Sequence, residues 1–338
     1  MTTDSYIDAH SAQQEPLALE RMRNVPQVIN ATFDLLRLYF RPLATALLKF
    51  AAPWFLLGSG IVAYGLADII SLAQFGSPAG FAAMLDLFLI VGLSLIPVYV
   101  GTIFMTAIVH GAIALYRERE REDGTDVPMV IDAQAIWQRS RPWIGRSAGS
   151  LIIFGIALFV LNVASAFIPF VGVFLFYGLV AFVSLYFPLR FYDERGLLQG
   201  FIVSTQLVTG RWAATFGLLA LLYILSILLG GLFLMPVIVG GLLSGFGVLD
   251  IEALLVEQGF WYYLMVVGVT LYFTTFYLLV AIPQIALVFQ YFAQTERKEG
   301  RRLRRKIDRL FPALDRTPVV SDASVVPGHS AGYTGGDG

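Results

Sequence analysis

A chain of 338 residues that is 57% hydrophobic and only 14% charged is unlike a soluble globular protein, which is nearer half apolar and a quarter charged. A net charge of −1 gives no electrostatic case for a nucleic-acid partner. The absence of cysteine excludes disulfides, thiolate metal sites and a cysteine nucleophile. Stretches 147–189 and 212–249 hold no Asp, Glu, Lys or Arg, and each exceeds the roughly 20 residues that cross a hydrocarbon core. The expected fold class is therefore all-α, a polytopic membrane bundle of about six transmembrane helices.

Residues 1–24 are polar, without the apolar core of a cleaved signal peptide, and read as a flexible arm. The membrane domain is expected over 25–295, with helices at about 44–71, 83–115, 147–168, 172–190, 213–246 and 260–292. Helix 2 runs into the charged stretch Arg117–Asp123. Helix 5 contains Gly230, Gly231, Pro236, Gly240 and Gly241, so a break near its outer end is expected. A basic amphipathic helix follows at 296–311, and the Pro- and Gly-bearing tail 312–338 reads as disordered.

All 23 Lys and Arg fall on one side of this scheme: before or just inside helix 1, between helices 2 and 3, between helices 4 and 5, and after helix 6. The opposite loops near 72–82, 168–172 and 247–259 contain none. Cytoplasmic loops carry the Lys and Arg excess, so a multi-pass protein of a bacterial inner (cytoplasmic) membrane is expected, with both termini in the cytoplasm.

A threefold pattern runs through the chain. Each hairpin follows a stretch that ends in an Arg at the membrane edge: Arg41-Pro42, Arg141-Pro142-Trp143 and Arg211-Trp212. Ile29, Phe33, Leu36 and Phe40 share a helical face, with Asn30, Asp34, Arg37 and Arg41 on an adjacent one. Leu198, Phe201, Thr205 and Val208 align similarly. Such helices lie in the interface. The second helix of each hairpin carries Pro97, Pro188 or Pro283. Three parallel repeats of interfacial helix plus hairpin are expected, against the alternative that common membrane-edge residues coincide.

Ionisable and polar groups at membrane depth are the functional candidates. Asp68 and Asp86 lie nine residues before and after Ser77, so a hairpin puts them at similar depth. They either share a proton or a cation, or sit in the wet outer interface. His110 is the lone membrane histidine, either an interhelical hydrogen-bonding group or a proton relay. Asn162 and Gln284 either hydrogen-bond between helices or line a cavity. Gly241-Leu-Leu-Ser-Gly245 has small-xxx-small spacing. Arg301, Arg302, Arg304, Arg305, Lys306 and Arg309 surround Leu303, Ile307, Leu310 and Phe311, a pattern suited to anionic headgroups or to a plain topology anchor.

No nucleotide-binding, zinc-protease or serine-hydrolase motif occurs, and no metal or cofactor is expected. The segments Pro188–Gly196, Ser204–Trp212 and Gln290–Gly300 make the chain resemble the membrane domain attached to some bacterial glycerophosphoryl diester phosphodiesterases. The resemblance covers about 25–311 and implies a six-helix inner-membrane module without the separate catalytic domain, hence without its activity. The expected function is a non-enzymatic lipid-associated or scaffolding module. The alternatives are a small-solute or ion transporter or channel, with Asp68, Asp86, His110 and Gln284 along its path, and then a membrane-embedded enzyme.

Overall fold

A computed structural model of the chain describes residues 19–71, 78–123, 132–166, 180–182, 184–193, 196–245 and 260–300. Among them the regular structure is helical, with no strand. In chain order the helices are α1 (Val25–Phe50), α2 (Ala52–Ser71), α3 (Pro78–Asp123), α4 (Ala133–Ser140), α5 (Ile144–Ala166), α6 (Tyr186–Tyr192), α7 (Leu197–Val208), α8 (Trp212–Gly231), α9 (Met235–Gly245), α10 (Phe260–Leu279) and α11 (Ala281–Glu299). Single 3-10 turns link α4 to α5, α7 to α8 and α8 to α9. The last of these, Leu232–Leu234, falls within the segment where helix 5 was expected to break.

Three stretches are long and apolar enough to cross a membrane: Phe88–Glu118, Leu198–Gly240 and Tyr262–Glu299. α1 with the first part of α2 makes a fourth, bent by 54°. The 43-residue stretch Leu198–Gly240 comprises α7, α8 and α9, interrupted by the 3-10 turns at Thr209–Arg211 and Leu232–Leu234. α8 alone, at 20 residues, measures about 30 Å at 1.5 Å per residue, the hydrocarbon thickness. Of the other expected spans, that at 147–168 corresponds to α5, whereas much of that at 172–190 lies outside the described residues. Residues 1–18, the basic segment from Arg301 and the tail also lie outside them.

Local chemistry explains where the helices bend. At the start of α1 the Asn24 N–H donates to Gln27 Oε1 at 3.0 Å, satisfying one of the helix's orphan donors. Pro42 has no N–H for the carbonyl of Leu38 and its ring crowds that carbonyl. The chain relieves this at Tyr39, which leaves helical geometry (φ −116°, ψ 16°). α10 and α11 likewise part at Val280, where Pro283 cannot donate to Leu279.

The core gathers at the end of the bundle that carries the basic side chains. α11 is its axis, packing against α1, α3, α6, α7, α8 and α10. Every residue from Val288 to Glu296 is buried, so this stretch has no solvent or lipid face. Two of the helix's amide groups find partners inside: Gln290 Nε2 and Gln294 Nε2 both donate to Thr215 Oγ1, at 3.3 and 3.2 Å. It ends where Gly300 takes φ +58°, a left-handed cap that glycine adopts without a Cβ penalty. The other halves of the long helices expose apolar side chains such as Phe88, Leu89, Ile96, Leu228 and Leu242, as a lipid-coated surface requires.

The hairpin of α2 and α3 closes through glycines. A Cβ on Gly58 would lie 2.6 Å from Val98 Cγ2, and one on Gly65 would lie 2.6 Å from Ile90 Cγ2. Gly101 returns the fit from α3, where the Phe55 ring occupies the space of its missing side chain at 2.8 Å. These small residues let two helix backbones approach closely.

Candidate functional site

Two features stand out, one closed and one open. The closed feature is a cluster of rings and charges at the basic end. His110, from α3, stacks on Phe191 with ring centroids 4.4 Å apart. Its Nδ1 meets the Tyr192 hydroxyl at 3.2 Å. Tyr192 packs against Phe292 of α11 at 5.3 Å, and Trp143 leans on Phe191 at 5.2 Å. The Arg117 guanidinium lies over both Tyr192 and Phe292, at 5.8 and 5.0 Å. Arg117 also holds Glu20 in an ion pair of 2.9 Å.

That ion pair ties down residues 19–24, the end of the expected flexible arm. Leu19 is fully buried, and Arg23 donates to its carbonyl at 3.1 Å. The Arg23 guanidinium sits 5.2 Å above the Phe289 ring, and Arg297 of α11 donates to the Arg23 carbonyl at 2.9 Å. Leu19 supplies the apolar anchor that the sequence reading passed over. Residues 23 and 297 therefore lie at the same end of the bundle.

Of the five membrane-depth candidates, the three with described side chains, Asp86, His110 and Gln284, do not all converge. His110 and Gln284 are neighbours, because Gln284 Nε2 donates at 3.3 Å to Thr106 Oγ1, one helical turn before His110. Asp86 is exposed and lies 24 residues before His110, about 36 Å along α3. Asp68 lies in α2 and Asn162 in α5, but their side chains lie outside the described residues. So do Arg301, Arg302, Arg304, Arg305, Lys306 and Arg309, and the helical contacts of Gly241 and Gly245.

Sequence reasoning missed Glu20, Arg117, Tyr192 and Phe292 as partners. The available signal was the pair of aromatic doublets, Phe191-Tyr192 and Tyr291-Phe292. Tyr192→Phe keeps the ring contacts and removes only the hydroxyl. The expected cost is about 1 kcal/mol, the net worth of one hydrogen bond, read as a lower unfolding midpoint in detergent. An unchanged midpoint would show that the His110 contact contributes nothing.

The open feature lies on α1. One face of this helix, with Val28, Ala31, Thr32 and Leu35, is buried in the core. Another turns apolar side chains outward, with Phe33 41% and Phe40 65% exposed. Between that face and the α10–α11 junction runs a groove of about 740 Å³, within the range of small-molecule sites. Phe33, Leu36, Phe40, Leu43, Ala44, Leu47 and Leu48 form one wall, and Leu278, Leu279, Ala281 and Ile282 the other. Asp34 and Arg37 also line it. Asp86, His110 and Gln284 do not.

Helices long and apolar enough to cross a membrane, bare along one part of their length and packed around an aromatic core at the other, are compatible with a helical membrane protein. No family model, curated protein or solved structure matches this chain.

Proposed function

We propose that the protein is a non-enzymatic lipid-associated module of a bacterial cytoplasmic membrane, which holds a lipid acyl chain in the groove on α1. The observation that carries this reading is the groove itself. It is concave, almost wholly apolar, and open along a helix whose outward face is too apolar for water. In this reading the protein has six membrane helices in three hairpins, each led by an interfacial helix, with both termini cytoplasmic. The one-sided Lys and Arg distribution supports that orientation. The basic segment Arg301–Arg309 then faces anionic headgroups. The likeness to the membrane domain of glycerophosphoryl diester phosphodiesterases belongs to the same proposal.

Native mass spectrometry of the full chain released from mild detergent tests the groove. Ala44 lines it and is half-buried, so Ala44→Trp fills the space without opening the core. The wild-type chain is expected to retain phospholipid. The variant should lose most of it while unfolding at an unchanged temperature. Equal retention by the two would overturn the groove as the lipid site.

A further inference from the structure

The groove carries two charges that its apolar walls do not explain. Asp34 and Arg37 are both exposed, and neither has a hydrogen bond or ion pair with another described residue. They are three residues apart on one helix, so their Cβ atoms are neighbours on one face, about 5–6 Å apart. A groove meant only for hydrocarbon gains nothing from either charge. A groove for an anionic headgroup gains from Arg37 and loses from Asp34. A headgroup with both signs within a few bonds satisfies both at once.

Resting on the reading of the groove as a lipid site, we infer that it selects a phospholipid bearing a primary ammonium, of the phosphatidylethanolamine type. Arg37 takes the phosphate. Its guanidinium donates in a planar fork matched to two phosphate oxygens. Asp34 takes the ammonium, whose N–H groups donate to the carboxylate. The acyl chain lies along Phe40, Leu43 and Leu47 toward Leu278. A quaternary ammonium has no N–H to donate, so a choline lipid loses the hydrogen bonds and keeps only the Coulomb attraction, which is weaker at an exposed site.

The test is a competition. The full chain in mild detergent is incubated with equal amounts of phosphatidylethanolamine, phosphatidylcholine and phosphatidylglycerol of identical acyl chains, and retained lipid is counted by native mass spectrometry. The ethanolamine lipid is expected to be retained about tenfold over either competitor, a ratio corresponding to one charged hydrogen bond. Asp34→Asn should bring it down to the level of the choline lipid. Arg37→Gln should weaken all three. Asp34→Arg should turn the preference toward phosphatidylglycerol. Both positions are exposed, so these variants leave the fold intact. Retention without headgroup preference, or a preference unmoved by Asp34→Asn, overturns the selection and leaves the groove as a lipid site. Failure to retain any lipid, or retention unmoved by Ala44→Trp, overturns the groove reading as well.

Discussion

Replacing Arg117 with methionine is expected to lower the unfolding free energy by about 3–5 kcal/mol, the usual cost of breaking a buried ion pair from one side. The side chains of Arg117 and Glu20 are 16% and 12% exposed, at a separation of 2.9 Å. Methionine keeps the apolar stem but leaves the Glu20 carboxylate in a poorly hydrated place. It also removes the cation lying over Tyr192 and Phe292, each such contact being worth about 0.5–2 kcal/mol according to its desolvation. The double variant Arg117→Met with Glu20→Gln separates the two effects. It should regain a good part of the loss, because a neutral amide is cheaper to keep in a poorly hydrated place than a carboxylate that has lost this arginine. Unfolding of the detergent-solubilised protein, followed by intrinsic fluorescence for all four members of the cycle, gives the coupling energy. A coupling near zero would mean that the pair only coexists, and that Leu19 and the contacts of Arg23 with Phe289 and Arg297 hold residues 19–24.

The split between what the sequence discloses and what it hides follows from the range of each interaction. Charge-free runs, the lopsided arginines and the prolines act through local chemistry. Accordingly, although the kink at Tyr39 before Pro42 and the parting of α10 and α11 at Val280, inside the span expected at 260–292, were not anticipated, the long apolar helices were legible. The identity of α11 as the buried axis was not. Gln294, Thr295 and Glu296 read as a membrane edge, and Gln290, read as an interhelical hydrogen-bonding or cavity-lining group, gave no local sign that its partner Thr215 lies 75 residues upstream. His110 stood out as a lone histidine in an apolar run, but its partner Tyr192 is 82 residues away. The groove was half visible. The face of Ile29, Phe33, Leu36 and Phe40 could be read from spacing, and so could Asp34 and Arg37 beside it. The opposite wall, from Leu278 to Ile282, exists only once α10 and α11 fold against α1. Asp68 and Asp86 drew attention by symmetry about a turn, yet Asp86 faces outward far from His110.

The glycines show the same limit, and they give the second large effect. Gly58→Ala is expected to destabilise the protein by about 2–3 kcal/mol, at the upper end of ordinary overpacking. The added methyl would meet Val98 Cγ2 at 2.6 Å, the Ser94 carbonyl oxygen at 3.0 Å and Pro97 Cγ at 3.3 Å. A valine on a helix is nearly confined to one rotamer, a carbonyl oxygen cannot rotate away, and a proline ring scarcely moves. Relief must come from pushing α2 and α3 apart, which loosens the Phe55–Gly101 fit above and the Gly65–Ile90 fit below. Gly60, two residues on, is an internal control. Nothing lies within 4 Å of its would-be Cβ, so Gly60→Ala should be neutral or stabilise by up to about 1 kcal/mol, through higher helix propensity and a less disordered unfolded chain. Composition alone makes the two substitutions the same. Thermal unfolding in one detergent should separate them by several degrees, and Val98→Ala in the Gly58→Ala background should restore part of the loss. Equal midpoints for the two alanine variants would mean that the hairpin does not close on Gly58.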